Sequence, residues 1–540
     1  MTSDDFNLLD EPWIPCLFMG ERQVSLLSIR DVLFQADKID RIVHESPIVS
    51  LCLHRLLIAV IYAALRGPDR VSALQELFED RDSLRSERID AYLRKAHHHF
   101  YLFGKKPFMQ DRRLIDELAG DRDQPLHVEK LRRETAAPFE GTLFDHTLPH
   151  EQQGLPPAEA ARHLLATTYF AIQDGSGYKT SPLTAGVASM ALGGSLRETL
   201  LLNLLPYNEQ QPIKAAHYDR DAPHWEREDP LPSPIPDGWL DYLTRPYRRV
   251  LLIREPTGEV SKVYWTSFRR KGADLDDAWR AGVLDPWLAY NVTDRGAAPV
   301  QLLPNRALWR DSEALIQQYV DRNRSNPGYA RLLARFQREH GVLVWGVRAP
   351  NNAIRLWRET RLPIASAYAE NPDLKAVLGH GVSVAEEIGT LLIGALSQLA
   401  KYALIPNWDE LSREEQSKAW REISRRPAPR KKGSKLDEFL RSLQAEPAYW
   451  ARLDIPFRRF MRDLPRVFAD RAGKSAREAW ADAVQSAARD AFDRAVDSLA
   501  TTGRGYRAAA AAGPAFFGSV SQVVDQFAGR TTEVHEEVPA

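Results

Sequence analysis

Val382-Ser383-Val384-Ala385-Glu386-Glu387-Ile388-Gly389-Thr390-Leu391-Leu392-Ile393-Gly394-Ala395-Leu396-Ser397-Gln398-Leu399-Ala400-Lys401-Tyr402-Ala403-Leu404 is the stretch at which the chain changes character. It reads as a long apolar helix, and further helical patterns follow with few strand signals: Leu411 to Ile423, Lys435 to Leu443, Ala448 to Val467 and Ser475 to Thr501. Alanine and alternating charge dominate the last of these, a composition suited to helices packed as a bundle. Upstream the signals are mixed helix and strand. The predicted fold is therefore α+β: a large irregular domain over residues 1–378, a junction between Lys375 and Gly381, a helical bundle over 379–530 and a disordered tail over 531–540.

Working back from that stretch, Val342 to Gly346 reads as a strand, and Val250 to Ile253 with Val260 to Phe268 reads as a hairpin turning at Pro256-Thr257-Gly258. Near the N-terminus, Pro12 and Pro15 forbid a helix around Trp13, so this segment should be an extended arm pinned by the indole. Ser28 can cap a short helix through Phe34. Ser46 or Pro47 opens a strongly apolar helix to about Leu65 that should be buried nearly all round. Val71 to Leu77 and Ser86 to Phe100 continue the helical reading.

The 72 Lys and Arg residues nearly balance the 73 Asp and Glu residues, so any nucleic-acid contact must come from local basic patches and not from a global field. Cys16 and Cys52 are the only cysteines, which excludes a disulfide framework or a cysteine-rich zinc site and fits a reducing cytoplasm. The longest apolar run, Leu51 to Leu65, is interrupted by His54 and Arg55 and falls short of the roughly 20 residues that span a bilayer. Met1 to Asp5 is polar and acidic, unlike a secretory leader, so a soluble intracellular protein without a membrane partner is expected.

Gln173-Asp174-Gly175-Ser176-Gly177-Tyr178-Lys179-Thr180 is a polar loop whose glycines let another chain or a phosphate approach the backbone closely. It lacks the third glycine of a dinucleotide-binding turn and the lysine spacing of a phosphate loop. Taken alone it reads as a surface turn.

The motifs around it form an ordered set. Asn7-Leu8-Leu9, two acidic residues and a proline, then Trp13-Ile14-Pro15, are followed by Leu102-Phe103 and Pro107-Phe108-Met109-Gln110. Beyond the loop come the arginine-led Arg197 to Leu205, Pro223-His224-Trp225-Glu226, Asp285-Pro286-Trp287 and Arg306-Ala307-Leu308-Trp309-Arg310-Asp311. Together they resemble the CasA family, the large subunits of type I-E Cascade CRISPR surveillance complexes. The resemblance implies a non-catalytic subunit that recognises the protospacer-adjacent motif in double-stranded target DNA and starts strand separation. It also implies a docking surface for the CRISPR helicase-nuclease, with guide RNA and the other Cascade subunits as partners, no cofactor, and a C-terminal bundle of the four-helix type. Base pairing with the guide reads the target sequence in such systems.

Carried over by residue, the resemblance assigns the family's glycine loop to Gly175, Ser176 and Gly177, and its wedge beneath the motif to Asn351 and Asn352. The minor-groove cation falls on Lys271, with Arg270 its neighbour and rival, and the contact to guide RNA and the adjoining subunit falls on Phe144. A nearly side-chain-free loop can follow a minor groove, an amide can take over the hydrogen bonds of an opened pair, and cations are drawn to a narrow minor groove. Without the resemblance, these residues read equally as ordinary turns or, for Phe144, as core. Arg425, Arg426, Arg430, Lys431 and Lys432 form the densest basic cluster, fit for phosphate contacts or for solubility.

Two rival functions remain open on the sequence. A metal-dependent nucleic-acid hydrolase would draw on His97-His98-His99 and Asp145-His146, although consecutive helical histidines point about 100° apart and cannot share one metal. They more often cover a helix end. No His-Glu-x-x-His, phosphate loop or nucleophile elbow occurs. A scaffold that contacts only protein and RNA is the second rival.

Overall fold

The computed structural model describes residues 6–118, 125–132, 154–170, 181–206, 220–228, 236–267, 285, 287–293, 296–304, 306–316, 320–321, 324–325, 341–348, 356–365, 367–426, 433–499 and 502–530. The chain divides into two compact units: one over 1–304 and 314–362, the other over 305–313 and 363–540.

The first unit is built on the helix Pro47–Leu65. Ser46 Oγ accepts the amide of Val49 at 3.3 Å, Pro47 sets the first turn, and Arg66 ends the helix in the left-handed conformation. All nineteen residues are buried, as its nearly uniform apolarity requires. The helices Pro157–Tyr169, Trp239–Thr244 and Glu87–Ala96 pack on it, as does the strand Gly341–Arg348. At 19 residues it is long enough and apolar enough to cross a membrane, so the length argument from sequence does not hold. Its complete burial inside the unit identifies it as a core helix. Pro372–Leu404 passes the same length and composition test with 39% of its best window buried.

Among the described residues, three three-stranded antiparallel sheets and two two-stranded pairs, Tyr290–Thr293 with Gly296–Pro299 and Val320–Asp321 with Arg324–Ser325, complete the first unit. Val24–Leu27, Ile14–Phe18 and Ile39–Ile42 lie in that order near the N-terminus. Leu126–His127 and Arg248–Arg254 flank Val260–Ser267, the last two forming the expected hairpin. Leu356–Leu362 and Val187–Leu192 flank Gly341–Arg348.

The sequence motifs that stand out along the chain prove to be locks of this framework. Trp13 is fully buried and donates its indole N–H to the Leu8 carbonyl at 2.9 Å. Arg197 donates to the carbonyls of Leu77 and Phe78 at 2.9 and 3.0 Å, satisfying the end of Val71–Glu79 where helical carbonyls lack partners. Trp225 packs against Phe100 and Phe108 and donates to the Tyr92 hydroxyl at 3.0 Å. Asp285, with a fully buried side chain, accepts from Arg55 of the core helix at 3.1 Å, the Tyr242 hydroxyl at 2.7 Å and the Trp287 amide at 2.9 Å.

The second unit is a bundle of the long helices Pro372–Leu404, Ala445–Val467, Lys474–Leu499 and Gly503–Ala528, with the shorter Arg413–Ser424 and Lys435–Leu443 beside them. Its core is aromatic: Phe460 stacks on Trp480 at 5.7 Å, and Trp309 stacks on Phe457 at 4.3 Å. Glycines make room for these rings. A Cβ at Gly381 would lie 2.6 Å from Phe460, and one at Gly389 would lie 2.8 Å from Trp450.

Two features differ from the sequence expectation. Asn371 caps Pro372–Leu404 by accepting the amides of Asp373 and Leu374, so one unbroken helix runs through the span 375–381 where a junction was expected. Residues 305–313 also fold with the helical unit, because Trp309 fills its core while Arg306 and Arg310 both pair with Glu386.

Candidate nucleic-acid interface

Gly175, Ser176, Gly177, Phe144, Lys271, Arg270, Asn351, Asn352, Arg430, Lys431 and Lys432 lie outside the described residues. The described residues do define the ends from which each of these segments leaves the fold, and the strand registers relate those ends to one another.

The segment 171–180 leaves after Phe170, whose amide closes Pro157–Tyr169 on the Ala166 carbonyl. Just before that end, the Thr168 carbonyl accepts the Tyr247 amide at 2.9 Å. Tyr247 precedes Arg248, which pairs with Ser267, the last described residue before the segment 268–284. The glycine segment and the basic segment therefore depart from adjacent positions. The glycine segment returns through Ser181, whose Oγ accepts the Leu183 amide, and leads into Val187–Leu192. Val187 pairs with Gly346, and two residues on Arg348 pairs with Leu356 to close the hairpin around 349–355. The register thus sets the turn between Arg348 and Leu356 at the same sheet end at which the chain re-enters after 171–180.

Cations accompany these roots. Arg248 is buried, donates to the Tyr247 carbonyl at 2.8 Å and lies 5.5 Å from the Trp265 ring centroid. Lys130 stands 5.7 Å from the same ring. Asp285, held by Arg55, fixes the return of 268–284.

The segment 133–153 is rooted elsewhere. Arg132 pairs with Glu129 and Glu159 before it. After it, Leu155 and Val260 exchange two backbone hydrogen bonds of 2.8 Å. Val260 begins the strand that Ser267 ends, so the segment 133–153 returns at the end of that strand opposite the exit of 268–284, about 23 Å away.

Sequence reasoning missed a cluster beside this root. His44 and His163 meet edge to face at 5.9 Å. Burial, with Arg162 next in importance for His44 and His44 itself for His163, lowers their pKa values to about 4 and about 3. The only signal in the sequence was two isolated histidines 119 positions apart, which nothing local connects.

In the helical unit, Arg425 and Arg426 are described and exposed. Arg426 pairs with Asp437 at 3.3 Å, and Asp437 also accepts the Ser434 amide in the capping box of Lys435–Leu443. The Ser434 amide first, and Arg426 in addition, hold the Asp437 carboxyl below its ordinary range. Part of the basic cluster is thus tied to a helix start.

His97–His99 form a 3-10 turn at the end of Glu87–Ala96, with His97 on Asp10 at 2.7 Å. Among the described residues no group of three or more His, Cys, Asp or Glu could hold a metal ion.

The family model for CRISPR-associated protein Cse1 matches residues 7–491. The CRISPR-associated protein CasA/Cse1 of Thermus thermophilus is 29% identical over 507 residues, 90% of this chain and 91% of that protein. The crystal structure of Cse1 from Acidimicrobium ferrooxidans matches with a TM-score of 0.75 at 24% identity, covering 97% of this chain and 99% of that one. A chain of a structure described as a CRISPR RNA-guided surveillance complex matches with a TM-score of 0.68 at 20% identity, covering 96% and 99%. At these identities the structural likeness speaks for the fold.

Proposed function

Because the chain belongs to the CRISPR-associated protein Cse1 family, we propose that it is the large, non-catalytic subunit of a type I-E Cascade surveillance complex. In this reading it recognises the protospacer-adjacent motif in double-stranded DNA, starts strand separation and offers a docking surface to the helicase-nuclease, working in the cytoplasm with guide RNA and the other Cascade subunits. The observation that carries the reading is the common rooting of three segments. The glycine segment and the basic segment leave side by side at Thr168, Tyr247 and Ser267, and the asparagine hairpin turns where the glycine segment returns at Val187. Chain rooted in this way can present Gly175 to Gly177, Lys271 and Asn352 to one short duplex. A groove-following backbone, a cation and a base-pair-opening amide are the three parts such a duplex needs. The segment that carries Phe144 returns to the fold at Leu155, at the far end of the same strand, and Phe144 is the residue assigned to guide RNA or the adjoining subunit.

The test is binding of the reconstituted complex to duplexes that differ only in the few base pairs beside the target. Gly177→Asp should abolish discrimination among them while the complex still assembles. Asn352→Ala should slow strand opening, read by 2-aminopurine fluorescence. If both variants discriminate and open DNA as the native chain does, the assignment fails.

A further inference from the structure

A second basic site lies on the other edge of the strand Arg248–Arg254. There Gln110 and Asp111 close the strand edge: the Gln110 side chain accepts the Leu252 amide at 2.8 Å and donates to the Leu102 carbonyl at 2.6 Å, and the Asp111 amide donates to the Val250 carbonyl at 3.0 Å. Between this edge and residues 224–228 is a cavity of about 340 Å³ with buried Phe108 and Trp225 among its lining. Five Lys or Arg residues line it against three carboxylates.

The pairing of those charges decides what remains available. Arg113 is spent on Asp111 at 2.7 Å and Arg227 on Asp237 at 3.2 Å. Lys105, Lys106 and Arg112 are exposed, and none of the three is held in an ion pair among the described residues. Their turn is preorganised: Arg112 donates to the Gly104 carbonyl at 2.8 Å, and Gln110 ties the same turn to the sheet. A turn whose backbone is already held in place gives up less conformational entropy on binding than a free loop does. At one end the rings of His99 and the exposed His98 lie with centroids 3.9 Å apart and planes inclined by 39°. Burial first, and His98 next, hold the His99 pKa below its ordinary value, which favours a neutral ring able both to donate and to accept.

We propose that this cleft binds single-stranded nucleic acid, one nucleotide entering the cavity with its phosphates on Lys105, Lys106 and Arg112 and its base against the His98–His99 pair. Cations beside aromatic rings on which a base can stack are the recurring design of sequence-tolerant strand binding. An acidic peptide would use the cations and leave the two imidazole rings idle. The site rests on the reading of the chain as a nucleic-acid-binding subunit, but not on the residues assigned to motif recognition.

The full chain is titrated with fluorescein-labelled oligo-dT and oligo-U of 15 nucleotides, and with a 15-base-pair duplex, over a range of salt. Each single-strand phosphate contact contributes about 0.7 to the slope of log affinity against log salt. Lys105→Ala/Lys106→Ala should make that slope shallower by about 1.4 for the single strands, or about 25-fold weaker binding at 0.1 M salt if the affinities agree at 1 M. Lys105→Arg/Lys106→Arg should keep the native slope. A larger change with oligo-U than with oligo-dT identifies RNA as the occupant, and the reverse identifies a DNA strand. An unchanged slope with every probe, or equal displacement by a polyglutamate of the same charge, overturns the proposal. Discrimination among motif duplexes by the assembled complex should be unaffected, so failure of the motif assignment and failure of this cleft show up in different assays.

Discussion

Replacing Arg55 by methionine isolates what the Asp285 lock contributes. The guanidinium sits in the core helix with its side chain 5% exposed, and it donates to Asp285, whose side chain is 0% exposed. It also lies 5.0 Å from the Trp287 ring and 5.6 Å from Tyr242. Arg55→Met fills much of the same volume but leaves the Asp285 carboxylate with only the Tyr242 hydroxyl and the Trp287 amide among the described residues. Removing one partner of a buried ion pair costs about 3–5 kcal/mol, because the other charge stays buried without compensation. At about 2 °C per kcal/mol for a unit of this size, melting should fall by roughly 6–10 °C. The double variant Arg55→Met/Asp285→Asn removes the stranded charge, keeps Oδ1 as acceptor for the Trp287 amide and turns an NH2 donor toward the Tyr242 hydroxyl, whose oxygen can accept it, so it should recover at least about half of the loss. Urea titration followed by hydrogen exchange in the helix Pro47–Leu65 reports on this unit directly. A single-variant cost below about 1 kcal/mol, or a double variant no more stable than the single, would refute the reasoning.

Within one helix of the second unit, two glycines should respond with opposite signs. Gly389→Ala drives a methyl to 2.8 Å from Trp450 and should cost about 1–3 kcal/mol, whereas Gly394→Ala meets nothing within 4 Å and should gain up to about 1 kcal/mol of helix propensity, both read by urea midpoints. Trp309→Ala, which empties a site 1% exposed, should lower the stability of the helical unit by about 3–5 kcal/mol, measured by calorimetry. The first unit should also lose stability in mild acid. His44 and His54 titrate at about 4 and His163 at about 3 when folded, against an ordinary value of 6.5, with burial the leading cause for all three. Between pH 7 and pH 5 the unfolded chain therefore takes up protons that the folded chain refuses, so stability falls by about 2 kcal/mol per histidine. Denaturant midpoints at the two pH values check this, and His163→Leu should reduce the dependence.

Local chemistry made much of the fold legible. Ser28 and Ser46 do cap Ile29–Phe34 and Pro47–Leu65, and Lys435–Leu443 and the hairpin at Pro256 to Gly258 occur where side-chain pattern and turn residues placed them. Elements that depend on distant partners were not legible. Gly503–Ala528 contains Gly505, Gly513, Pro514 and Gly518, breakers that single out no helix in the sequence, and packing on Pro372–Leu404 and Lys474–Leu499 outweighs them. Pro456 and Pro465 sit inside Ala445–Val467 too, but there the apolar pattern from Ala448 to Val467 marks the helix in spite of them. For the candidate site, the motifs that identified the chain are mostly locks, such as Arg197, Trp225 and Asp285, which lie in the framework and not on the proposed interface. The shared rooting of the three segments follows from strand registers in two separate sheets, each set by side-chain burial across the sheet, which no local stretch encodes.

The excursion of residues 305–313 bears on how the chain can be cut. Because the path crosses between the units after 304, again after 313 and again after 362, one protease nick at any of these crossings leaves the two units covalently joined. A fragment beginning at Pro363 would carry the four long helices but would lack Trp309 beside Phe457 and the two arginines on Glu386. The helical unit is thus not a module that can be excised or transplanted at a single seam; a faithful graft has to bring a nine-residue patch from elsewhere in the chain.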